Sequence, residues 1–146
     1  MKRLLCVILI LCVIPVVASA TDYIDRFNDY AAVFGLRGVE GNGQTVKSKT
    51  MYIVDGSYVG FQEDENTGEL SSIFVSGEGD NLLIYTISAI CVMENTTNHF
   101  SDNCGLLLTQ YLMCRMKQET VYFSTKGGLF VLVEPYNGEY MTVIER

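Results

Sequence analysis

Between Lys49 and Arg115 the chain has neither lysine nor arginine, while Asp55, Glu63, Asp64, Glu65, Glu69, Glu78, Asp80, Glu94 and Asp102 all fall in that interval. Such a stretch repels phosphate backbones and anionic lipid, which argues against nucleic acid and membrane surfaces as partners and in favour of a basic protein. Histidine occurs once, at His99, so no histidine pair is available to hold a metal. There is no Gly-x-Ser-x-Gly elbow and no spaced pair of carboxylates defensible as general acid and base. Gly43 to Ser48, GQTVKS, lacks the second glycine that a phosphate cradle needs before its lysine. Asp64-x-Asn66-x-Gly68 lacks the sixth-position glycine and twelfth-position acid of a calcium loop and reads as a hairpin turn. No cofactor and no metal are expected.

What is present begins with an export signal. Lys2 and Arg3 precede an apolar run from Leu4 to Val17, broken only by Pro15, and Ala18-Ser19-Ala20 supplies a small-x-small cleavage site. The run is shorter than the about 20 residues a bilayer span requires. We therefore expect residues 1–20 to be a cleaved signal peptide and residues 21–146 to form one domain with no membrane association afterwards. That domain would be periplasmic if the source is bacterial and secreted otherwise. Cleavage removes two cations and no acid, taking the formal charge from −7 to −9.

Along the rest of the chain the hydrophobic period changes three times. Tyr23, Ile24, Phe27, Tyr30, Ala31 and Phe34 recur at helical spacing up to Gly35, and residues 36–45 read as a glycine-rich loop or weak edge. Met51 to Val54, Tyr58 to Phe61 and Leu70 to Val75 read as an antiparallel meander, with Asp55-Gly56 as a two-residue hairpin turn. Gly60, inside a strand, predicts a bulge or a close backbone approach. Leu82 to Met93 is apolar nearly all round and reads as a buried helix capped by Asp80 or Asn81. A further helix, capped by Ser101 or Asp102, would have one apolar face formed by Leu107, Leu108, Tyr111, Leu112 and Arg115. Three more strands follow over Val121 to Ser124, Leu129 to Val133 and Tyr140 to Ile144. The expected fold class is α+β, with helices packed against a mainly antiparallel sheet. This order of elements is similar to that of small secretion-chaperone-like domains; no motif accompanies the likeness, and no residue role is carried over from it.

The stretch Cys91-Val-Met-Glu-Asn-Thr-Thr-Asn-His-Phe-Ser-Asp-Asn-Cys104 joins the two helices. In an oxidising compartment we expect Cys91 and Cys104 to form a disulfide, contributing about 3 kcal/mol in the chain-entropy model. Cys91 with Cys114 is the alternative pairing, whereas Cys104 and Cys114 lie about 15 Å apart along one helix and cannot bond. Asn95-Thr96-Thr97 is a glycosylation sequon, relevant only where the host glycosylates exported proteins.

The functional expectation is a non-enzymatic, exported acidic protein that engages a basic protein partner, as an inhibitor, an immunity protein or an envelope adaptor or chaperone. The expected contact is Glu63, Asp64, Glu65 and Glu69 in a hairpin turn, with Tyr58 and Phe61 as aromatic anchors. Two other classes stand beside it. One is a thiol-dependent or hydrolytic enzyme using Cys104 or Cys114 with His99; the other is a carrier of a small apolar ligand.

Overall fold

The structure, a computed structural model, describes residues 23–41 and 43–146, and the expected signal peptide lies outside them. The chain runs α1 (Tyr23–Val33), β1 (Gln44–Val46), β2 (Lys49–Val54), β3 (Ser57–Glu63), β4 (Leu70–Gly77), α2 (Gly79–Glu94), α3 (Phe100–Lys117), β5 (Val121–Ser124), β6 (Phe130–Tyr136) and β7 (Glu139–Glu145). The fold is α+β. The two meanders share one antiparallel sheet of seven strands, ordered β1-β2-β3-β4-β7-β6-β5, joined where β4 pairs with β7.

Local chemistry explains the hairpins. Asp55 and Gly56 both take positive φ, 48° and 78°, and Asn137 and Gly138 do the same at 50° and 83°. Both pairs are two-residue turns whose twist suits the flanking strands. The second turn is tighter than the sequence implies, because Pro135 and Tyr136 stay within β6. Proline is tolerated there because the pairing of β6 with β5 ends at Val133, so one side of the strand needs no N–H.

The strand period of two sorts the sheet into a covered and an uncovered face. Phe61, Ile73, Ile144, Val131 and Phe123 form one cross-strand row, and all are buried. α2 lies against β4 and β7, α3 against β5 and β6, and α1 against α2. α2 is buried along Leu82 and Tyr85 to Met93, as its apolar circumference requires. Its polar groups are met internally: Thr86 Oγ1 donates to the Leu82 carbonyl at 2.7 Å and lies 2.7 Å from Thr142 Oγ1 on β7. From α1, Asn28 bonds both the N–H and the carbonyl of Val39, pinning the following loop. Among the described residues no helix is long and apolar enough to cross a membrane.

Both helix starts differ from expectation. α2 begins at Gly79, ahead of Asp80 and Asn81, with no side-chain cap from Glu78. Instead the Gly79 N–H donates to the Tyr111 hydroxyl of α3 at 3.2 Å, so a distant tyrosine satisfies an orphan amide. α3 begins at Phe100, ahead of Ser101 and Asp102, and its buried stripe is Phe100, Asn103, Leu107, Tyr111 and Cys114. Leu108 and Leu112 are 48% and 46% exposed, and Arg115 is exposed as well. The helix is rotated from the leucine-rich phase because Asn103 and Cys114 face inward.

Candidate binding face

The face of the sheet turned away from the helices carries a second cross-strand row, Met51, Gly60, Phe74, Val143, Leu132 and Tyr122, spanning six strands. Its members are apolar or aromatic, and nothing in the described chain packs over them as a layer. Tyr122 is 66% exposed and rests against Phe130, its ring centroid 5.7 Å away; Ile53 is 72% exposed. A monomer seldom leaves so broad an apolar strip open without a use for it.

Along the middle of this face lies a groove of about 610 Å³. Ser72, Phe74 and Ser76, alternate residues of β4, form its floor; Met51, Tyr58 and Gln62 line one side, and Met141, Val143 and Glu145 the other. The Phe74 ring lies down over Gly60, where a Cβ would overlap both the ring and the Met51 sulfur. This is the close approach that a mid-strand glycine predicts; the bulge of β3 lies elsewhere, between Gln62 and Glu63. The Lys49 ammonium sits 3.9 Å above the Phe74 ring centroid, a cation–π contact.

The covered side holds a different arrangement. The Glu94 side chain is only 2% exposed, at the junction of α2, α3 and the turn before β6. Its Oε1 accepts from Thr125 Oγ1 at 2.5 Å, the Gly127 N–H at 2.8 Å and Asn103 Nδ2 at 3.1 Å. His99 Nδ1 lies 3.2 Å from Oε2 and donates to it, since an ionised carboxylate only accepts. Burial alone would raise the Glu94 carboxyl, but the four hydrogen bonds together outweigh it and hold the group below its ordinary range. Asn103 Oδ1 also accepts from the Lys126 N–H at 3.0 Å, so the hub fixes the turn before β6 to α3. Gly127 is required for this approach, because a Cβ there would come within 2.5 Å of the carboxyl.

The three cysteines of the described chain are free thiols in the structure, so the expected Cys91–Cys104 bridge is not formed in it. Burial, and then the neighbouring Cys104 and Glu94, push Cys91 up to about 12; burial pushes Cys104 up to about 12. Cys114 is raised too, by burial and then by Glu134. Thiols so raised are protonated at neutral pH and poor nucleophiles. His99 bonds Glu94 through Nδ1, and among the described residues no hydrogen bond joins its ring to a thiol. Among the described residues no three histidine, cysteine or acidic side chains are placed to hold a metal.

The residues expected to contact a partner are split by the fold. Phe61 is 1% exposed and packs its ring against Phe27, Tyr23 and Tyr52 in the core, which corrects its place as a surface anchor. Tyr58, three residues earlier in the strand, points to the opposite face and lines the groove. Glu63 accepts from the Tyr23 hydroxyl at 2.5 Å, tying α1 to the sheet. Asp64 Oδ1 accepts from the N–H groups of Asn66 and Thr67, and these bonds hold its carboxyl below the ordinary range. Glu65 and Glu69 are exposed in that turn, which leaves directly from Gln62 at one end of the groove. The groove and the Glu94 hub escape the sequence reading, although Glu94 is the only acid between Asp80 and Asp102 and ends an otherwise apolar helix. Compared with known proteins, the chain matches no family model, no curated protein and no solved structure.

Proposed function

We propose that the chain is an exported, non-enzymatic binding domain whose helix-free sheet face engages a basic protein partner, in the periplasm where the source is bacterial. The observation that carries this reading is the uncovered row from Met51 to Tyr122, a surface that in most two-layer folds faces water with polar side chains. Charge supports the sign of the partner. Glu134, Glu139 and Glu145 share this face by strand register, where Lys49 is the one strand cation among the described residues, and the turn bearing Asp64, Glu65 and Glu69 adjoins it. The acidic turn and Tyr58 thus belong to opposite ends of one surface. A thiol enzyme using Cys104 or Cys114 with His99 draws no support from raised thiols and a histidine committed to Glu94.

A photo-crosslinking residue in place of Ile53, expressed in the native host, tests the reading. The expected product is a discrete adduct with a basic protein, lost when Glu134, Glu139 and Glu145 are all changed to lysine. Adducts that form equally with that charge-reversed variant, or only from a crosslinker placed at Leu112 on α3, would overturn it.

A further inference from the structure

We infer that the groove along β4 receives an extended peptide segment with alternating apolar and basic residues; this deepens the proposed binding of a basic protein and rests on it. The floor decides the form of the occupant. Ser72 and Ser76 are 6% and 7% exposed and line the groove, and neither hydroxyl bonds another group among the described residues, so each oxygen keeps its remaining contact with the groove's solvent. A ligand seated over them must supply partners, since a hydroxyl stripped of solvent and left without a hydrogen bond is costly. An extended peptide has free backbone N–H and C=O groups to offer, whereas a docked helix has used its own. The two hydroxyls stand four residues apart on one strand, about 13 Å, the length of about four residues of an extended ligand.

The walls decide the side chains. Met51, Phe74, Met141 and Val143 give a yielding apolar surface, in which thioethers adapt to a bulky side chain. That surface exists because Gly60 lets Phe74 lie flat; any larger residue would lift the ring and fill the channel. Glu145 lines the groove without an ion-pair partner among the described residues, and the acidic turn lies at the same end. Alternate residues of an extended ligand would place apolar side chains against Met51, Met141 and Val143, beside the Phe74 ring that the Lys49 ammonium covers, and cations toward Glu145 and the acidic turn, away from Lys49. A second copy of the chain fits poorly, because each copy carries a formal charge of −7 or more negative.

Methionine methyl resonances test this directly, since Met51 and Met141 line the groove, Met93 is in the core, and Met113 and Met116 are on the outer side of α3. The protein as exported, with labelled methionine methyls, is titrated with acetyl-Lys-Phe-Lys-Phe-Lys-amide and with the peptide carrying glutamate in place of each lysine. The expected result is saturable shifts at Met51 and Met141 for the lysine peptide, with at least tenfold weaker binding of the glutamate peptide. Ser72→Ala with Ser76→Ala should weaken binding severalfold, and Glu145→Lys should remove the preference for lysine, while the Met93 resonance reports an intact fold. Shifts confined to Met113 and Met116, equal binding of both peptides, or no shift at millimolar peptide would overturn the inference. If the peptides fail while the crosslinked basic partner still maps to Ile53, the binding reading survives and the extended-peptide form of it does not.

Discussion

Phe61 and Phe74 sit on neighbouring strands of one sheet, and they have opposite fates. Phe61 enters a core of aromatic rings, meeting Phe27 edge-on with centroids 5.4 Å apart. Phe74 lies flat on a glycine under a lysine, half-buried, with no second layer above it among the described residues. The covered face satisfies itself: its apolar rows meet helices, and its buried carboxylate has four donors. The other face is left with open aromatic area, serine hydroxyls that face the groove, and in Glu145 an acid without an ion-pair partner among the described residues. The difference separates the residues that make the fold from those free to make a contact, and replacing residues on each face is the way to test it.

The largest effect is expected at Phe61. Phe61→Ala should cost about 3 to 5 kcal/mol in urea unfolding, the range for a large aromatic removed from a tight core. Phe74→Ala, the same chemical change on the other face, should cost about 1 kcal/mol, because only part of the ring is out of water. Equal losses would mean that the helix-free face is as sealed as the core.

Next comes the hub. Glu94→Ala leaves Asn103, Thr125 and the Gly127 N–H without their acceptor in a buried site, a loss of about 3 kcal/mol. Its pH dependence has a definite sign. The carboxyl is held low in the folded state, so the stabilisation is present above the unfolded value of about 4.3 and is lost as pH falls through the lower folded value. Glu94→Gln should therefore flatten the acid side of the stability profile and leave the neutral side parallel to the wild type. A profile that keeps its acid slope would assign that slope to other carboxylates.

A smaller effect concerns the three thiols of the described residues, which lie on the covered side. With Cys91 and Cys104 pushed up to about 12, iodoacetamide at neutral pH should scarcely label either in the native protein. Denaturation without reductant should then give three labels on Cys91, Cys104 and Cys114, as free thiols require. A single label would mean that export closes the bridge expected from the sequence.

The α+β class, the order of elements and the Asp55-Gly56 hairpin were legible because each rests on local periodicity or turn chemistry. Pairing Tyr58 with Phe61 as joint anchors was an error that the strand period alone corrects: residues three apart in a strand point to opposite faces, so the two do not anchor one partner together. The groove was not legible, because it depends on β4 pairing with a strand about 70 residues later in the chain, and no local signal reports that pairing. The Glu94 hub was hidden for the same reason, its donors coming from α3 and the turn before β6. On α3 itself, counting leucines chose the wrong phase. Of Leu107, Leu108 and Leu112 only Leu107 faces inward, in the phase that also brings Asn103 to Glu94.

That phase gives the smallest effect and the finest test of the comparison. Leu107 is buried beside Asn103 and Tyr111, so Leu107→Ala should cost about 2 to 4 kcal/mol. Leu112→Gln, five residues along the same helix, should stay within about 0.5 kcal/mol, because its side chain is already half in water. The contrast isolates orientation from composition, since both positions carry leucine in one helix of one protein. If Leu112→Gln instead cost more than about 1 kcal/mol and the loss grew with protein concentration, the outer side of α3 would be covered by a second copy. The molecule would then have two docking faces, and the contrast between covered and open would run across the helices as well as the sheet.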